Sequence, residues 1–162
     1  MCRVTRISVF EGDITDDNLG VLTRSPLLTQ LREVWLGECK IRPRAIEALV
    51  TSPSIKQLRG LIISGFSIPG ARGEDKKGFR LWELVASSLN MASLERLWID
   101  WCGPLENRTV EALIRSPYLK RSLRLDLGPS GEPGGAEGLY LLAKLSPANK
   151  KAFLERFPEN RF

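Results

Sequence analysis

The sequence predicts an α/β fold made of stacked strand–helix units, and three observations carry that prediction. A short apolar phrase recurs along the chain at intervals of 27 residues or more. A second phrase, centred on Ser-Pro, recurs between the copies of the first. Apolar residues at helical spacing fill the stretch in front of the Ser-Pro phrases.

The first phrase opens on Val4, Ile7, Val9, Gly12 and Ile14, and returns as Leu31, Val34, Leu36, Cys39 and Ile41. Leu58, Leu61, Ile63, Phe66 and Ile68 form the third copy, and Leu94, Leu97, Ile99 and Cys102 the fourth. A shorter fifth copy, Leu123, Leu125 and Leu127, runs into a Gly/Pro-rich stretch from Gly128 to Gly135. Starts at 4, 31, 58 and 94 give spacings of 27, 27 and 36, so the third unit carries an insertion, placed at 68–80. Alternation within each phrase is that of a strand with one face turned to the core.

Helices follow the strands. Ile46, Leu49 and Val50, and again Val110, Leu113 and Ile114, share one helical face ahead of Ser52-Pro53 and Ser116-Pro117, and Ser25-Pro26 stands in the same place in the first unit. Proline ends such a helix because it lacks an N–H and bars the residue before it from the α region. Pro43 suits a first helical position, and Thr15 or Asp16 a helix start. Ser146-Pro147 begins a last helix, 146–157, whose Ala152, Phe153, Leu154 and Phe157 are placed to cover the final unit. A single domain over 1–162 with about five repeats follows, long enough for a substantial core.

The pattern L-x-x-L-x-L-x-x-[C/N]-x-L resembles a leucine-rich repeat, and the length of its helical unit resembles the ribonuclease-inhibitor-like class. The Ser-Pro phrase and the ending from Ala152 to Phe162 are similar to leucine-rich-repeat paralogues of planctomycete-type bacteria. The resemblance covers residues 4 to 145 and the tail. It implies a curved right-handed solenoid with a parallel sheet on the concave face, helices on the convex face, and a role in binding proteins. Gly12 and Phe66 depart from the Cys/Asn position, and Phe66 predicts an irregular turn just before the insertion. No typical cap precedes Val4, so either a shortened member or a fragment is expected, and the first strand is a candidate edge for self-association.

Composition narrows the function classes. The chain has no histidine, which removes His-based triads and His–metal sites. Cys2, Cys39 and Cys102 are odd in number and scattered, supporting neither a disulfide framework nor a zinc site. Met1 to Gly12 lacks the apolar core of a secretory signal and no run is long enough to span a bilayer, so a cytoplasmic protein without membrane contact is expected. Gly-rich stretches at 70–78 and 128–138 match neither phosphate-loop pattern, and no nucleophile and base are paired, so no catalysis and no cofactor are expected.

Strand alternation names the side chains of the concave face. These include Arg6, Ser8, Phe10 and Glu11; Glu33, Trp35, Gly37 and Glu38; Gly60, Ile62, Ser64 and Gly65; Arg96, Trp98, Asp100 and Trp101; and Arg124 and Asp126. Three of the chain's four tryptophans fall on it, and tryptophan is enriched at binding hot spots. The fourth, Trp82, reads as helix packing. Small residues at Gly60, Ser64 and Gly65 suggest a trough between Trp35 and Trp98. The expected partner-binding set is Phe10, Trp35, Trp98 and Trp101 as apolar anchors, Glu33, Glu38 and Asp100 as selectors of a basic partner segment, and Arg96 beside them. Although the net charge is +5, acidic residues outnumber basic ones at these positions, which disfavours nucleic acid. Five strands about 4.8 Å apart make a groove of roughly 20–25 Å, so a tight protein partner also needs the turns and the 68–80 segment.

Overall fold

Strand alternation and repeat spacing meet in one sheet. The structure, a computed structural model, describes residues 4–10, 16–37, 43–64, 77–99, 107–126 and 145–160. In chain order these form β1 (Arg6–Phe10), α1 (Asp16–Thr23), β2 (Glu33–Gly37), α2 (Pro43–Thr51), β3 (Gly60–Ser64), α3 (Lys77–Ser87), β4 (Arg96–Ile99), α4 (Asn107–Arg115), β5 (Arg124–Asp126) and α5 (Pro147–Arg156). The strands make a five-stranded parallel sheet in sequence order, with β1 and β5 at its edges. Helices alternate with strands, and α1 to α5 lie side by side in chain order.

The pairing register follows the repeat. Ile7, Val34, Leu61, Leu97 and Leu125 stand opposite one another across the five strands. Their neighbours in the ladder, Arg6, Glu33, Gly60, Arg96 and Arg124, form a second row on the other face. A slip of one residue would send the whole apolar row to the wrong side. Val34, Leu36, Leu61, Ile63, Leu97 and Leu125 are buried, in one continuous cluster with Leu19, Ile46, Leu49, Trp82, Val85, Val110 and Leu113 from the helices. Burying each such aliphatic side chain stabilises the fold by about 1.5–3 kcal/mol. Trp82 is part of this core. Ile7 and Val9, on the edge strand, are only half-buried.

Helix α2 begins at Pro43, and α1, α2 and α4 all end ahead of their Ser-Pro phrases. Helix α3 begins at Lys77, inside the stretch read as the insertion, while residues 68–76 lie outside the described ones. So do Gly12, Thr15, Cys39, Phe66 and Cys102.

Each serine after a helix does more than precede a stop. The Ser52 hydroxyl donates to the Thr23 carbonyl at 2.5 Å, Ser88 to Val50 at 2.5 Å and Ser116 to Ala86 at 2.5 Å. Every acceptor lies two residues ahead of the preceding unit's own serine, at the C-terminal end of its helix, where carbonyls lack an intrahelical donor. The same hydroxyls accept from the backbone N–H of Ser54, Asn90 and Tyr118, starting the next turn. Ser88 plays this part with Leu89, not proline, behind it.

The series ends in α5. There Ile114, two residues ahead of Ser116, has its carbonyl taken by Nε of Arg156 at 3.3 Å. The same guanidinium donates to the carbonyls of Ser116 and Leu119 and lies 4.8 Å from the centroid of the Phe157 ring. Burial, with Arg121 nearby, holds its pKa below that of a free guanidinium. Beyond the helix, buried Asn160 accepts from Leu125 N–H at 2.5 Å and donates to the Leu123 carbonyl at 2.8 Å, so its amide continues the ladder past β5. Phe153 and Phe157 are fully buried, with centroids 5.3 Å apart, against the last unit.

Ser52→Ala and Ser116→Ala each take the hydroxyl donor from a buried carbonyl and are expected to lower the unfolding free energy by about 1–3 kcal/mol. Ser88→Ala leaves the Val50 carbonyl the longer bond from Asn90 Nδ2 at 3.4 Å, and its cost is expected at the low end of that range. Ser87→Ala removes only an exposed bond within α3 and is expected to change it by less than about 0.5 kcal/mol. Urea denaturation followed by circular dichroism checks both.

Candidate functional site

The face of the sheet turned away from the core carries two parallel rows. The first runs Ser8, Trp35, Ile62, Trp98 and Asp126, and the second Arg6, Glu33, Gly60, Arg96 and Arg124. Alternation along each strand sets them about 7 Å apart. Of the expected site residues, Phe10, Glu33, Trp35, Arg96 and Trp98 all lie on this face, while Glu38, Asp100 and Trp101 fall outside the described residues.

The anchors form a band. Phe10 is 52% exposed, and its ring meets that of Trp35 edge-on, with centroids 4.9 Å apart and planes at 67°. Trp35 and Trp98 are half-buried and flank Ile62 on β3. The trough expected between the two indoles is therefore absent from their own row: Ile62 occupies it and is only 6% exposed. Gly60 and Ser64 belong to the rows on either side, because side chains two residues apart along a strand never share a row across it. Both indole nitrogens are buried without a hydrogen-bond partner. The rings thus offer apolar surface, and their N–H groups take no part in holding them.

The second row surrounds a hollow of about 560 Å³ at the N-terminal ends of β2 to β5, lined by Arg32, Glu33, Arg59, Gly60, Ile62, Glu95, Arg96, Ser122 and Arg124. Gly60 has no side chain to fill it, and a Cβ there would come within 3.3 Å of Glu33 Cγ, which leans across the strand. Glu33 is held by Arg6 at 2.6 Å, and Glu95 by Arg59 at 3.5 Å. The acidic excess expected of this face rests on Glu11, Glu38 and Asp100, all outside the described residues. Among the side chains described, Arg6, Arg96 and Arg124 stand against Glu33, and the hollow itself gathers four arginines against two glutamates. Sequence reasoning missed Arg32, Arg59 and Glu95. The recurring pairs Leu31-Arg32 and Leu58-Arg59 were the available signal.

Among the described residues, no group of three or more Cys, Asp or Glu could hold a metal ion, and no helix is long and apolar enough to cross a membrane. No protein-family model matches the chain, and no curated protein is significantly similar to it.

Trp35→Phe and Trp98→Phe keep a ring over Ile62 while removing an unpaired donor, and are expected to leave the unfolding free energy within about 1 kcal/mol of the parent. Trp35→Ala and Trp98→Ala uncover Ile62 and are expected to lower it by about 2 kcal/mol or more. Chemical denaturation of the four variants checks the contrast.

Proposed function

We propose that this chain is a leucine-rich-repeat solenoid of the ribonuclease-inhibitor-like class, similar to planctomycete-type bacterial paralogues, that binds a partner protein on its concave sheet face without catalysis. The observation that carries this reading is the apolar band of Phe10, Trp35, Ile62 and Trp98, set side by side across four strands on the face opposite the core. Aromatic residues joined to an aliphatic centre are the composition of binding hot spots, and surrounding charges exclude wrong partners. Trp101, Glu38 and Asp100, which follow β2 and β4 in sequence, belong to the proposed contact. The protein would act as a cytoplasmic scaffold, its affinity limited by the few strands available.

Wild-type protein immobilised in a lysate of its native cell is expected to capture a partner that Phe10→Ser with Trp98→Phe/Arg96→Gln fails to retain, at matched circular dichroism. Equal capture by the variant removes the sheet face from the interaction.

A second reading is favoured by the first unit. Val4 and Val21 are 39% and 65% exposed there, and Ile7 and Val9 of edge strand β1 are half-buried. A second copy paired at this edge would cover them. Static light scattering is then expected to give a dimer that Val21→Glu converts to monomer, and a monomeric wild type rejects the pairing.

A further inference from the structure

Arg96 and Arg124 are direct partners in the β4–β5 register, on the same face and about 4.8 Å apart along the backbone. Like charges directly opposite one another across a sheet are unfavourable. Among the described residues, neither arginine is in an ion pair. The two glutamates of the hollow do not relieve them, since Glu33 is bound by Arg6 and Glu95 by Arg59. A third cation, Arg32, donates to the neutral Gln57 carbonyl at 3.5 Å and, among the described residues, is in no ion pair. Among the described lining residues positive charge therefore exceeds negative, with Gly60 and Ile62 also lining the hollow and Trp98 paired beside Ile62.

We propose that this hollow seats a carboxylate of the partner, so that the open face selects an acidic peptide segment. An Asp or Glu lies between the Arg96 and Arg124 guanidinium groups, and an adjoining apolar residue rests on Ile62 and Trp98. The guanidinium fork matches a carboxylate in two parallel hydrogen bonds, and the apolar row begins one side-chain spacing away. A nucleic acid fits less well. Its phosphates need a run of cations along their track, and here Glu33 on β2 and Glu95 ahead of β4 interrupt that run. This inference rests on the protein-binding reading and narrows its ligand, giving this end of the face the opposite preference to the one expected of Glu33, Glu38 and Asp100.

Panning a random peptide library displayed on phage against the full chain tests it. Selected peptides are expected to carry Asp or Glu next to an apolar residue, and to bind Arg96→Gln/Arg124→Gln about tenfold more weakly than wild type. Their affinity for wild type is expected to fall as salt rises. Arg124→Gln alone is expected to keep or raise Tm, because it relieves the like-charge pair; a lowered Tm assigns the arginines to the fold and overturns the proposal. An empty selection, peptides without acidic enrichment, or affinity unchanged by the double variant also overturns it, as does a labelled single-stranded oligonucleotide that displaces the peptides and binds more tightly. Peptides that lose affinity for Phe10→Ser or Trp98→Phe but not for the arginine variant overturn the carboxylate seat alone and leave the binding face standing.

Discussion

The buried serine hydroxyl that joins one unit to the next is the interaction on which the arrangement depends. Apolar burial drives the units together, but it has no direction and tolerates a shift of one helix against another. A hydroxyl facing one carbonyl does not. Ser52, Ser88 and Ser116 each bond the carbonyl two residues ahead of the previous unit's serine, so the end of one helix is tied to the start of the following turn. At the sheet side the tie is repeated by the backbone: the N–H groups of Arg32 and Glu33 share the Thr5 carbonyl, and those of Arg59 and Gly60 share that of Arg32. Two fixed seams, one on each side of the core, leave the strands a single register.

A chain of such ties needs a last member. After α4 the Ile114 carbonyl is met by Arg156, where earlier units use a serine, from a helix of different character. Asn160 does the corresponding work at the sheet seam, presenting an amide to Leu123 and Leu125 as another strand would. A buried guanidinium is unfavourable without several acceptors. Three carbonyls meet Nε and Nη2 and the Phe157 ring lies against the group, while Nη1 is buried without a partner, so the long Arg156 side chain lies across the end of the stack with most of its donors satisfied.

These ends mark the limit of what was legible in the sequence. The strands, their spacing and their inward residues follow from periodicity, since five copies of one phrase leave little freedom in the choice of face. Ser25, Ser52 and Ser116 were visible as helix stops because proline follows them. Ser88 lacks that proline, so its equivalence shows only through its bond to Val50. Arg156 and Asn160 occur once each, and a side chain acting once leaves no period to detect. On the open face, alternation puts Phe10, Trp35 and Trp98 on one side of the sheet but does not show the burial of Ile62, which the register sets between the two indoles. Ion pairing was equally hidden: Glu33 reads as a free carboxylate until the register brings Arg6 within 2.6 Å.

The two faces of the sheet differ in how completely their groups are matched. On the core side the aliphatic row is buried across β2 to β5 and the serine bonds satisfy the helix ends. On the open side two indole N–H groups have no acceptor, and Arg96 lies beside Arg124 with neither in an ion pair among the described residues. Threonine or valine at Arg96 and Arg124 would suit a strand better and disturb nothing in the core, because the row they occupy faces away from it. The fold therefore gives no reason for these residues. Apart from Arg156 Nη1 at the end of the stack, the unpartnered buried donors among the described residues lie on the open face, and such a division is expected where a surface answers to a partner as well as to its own chain.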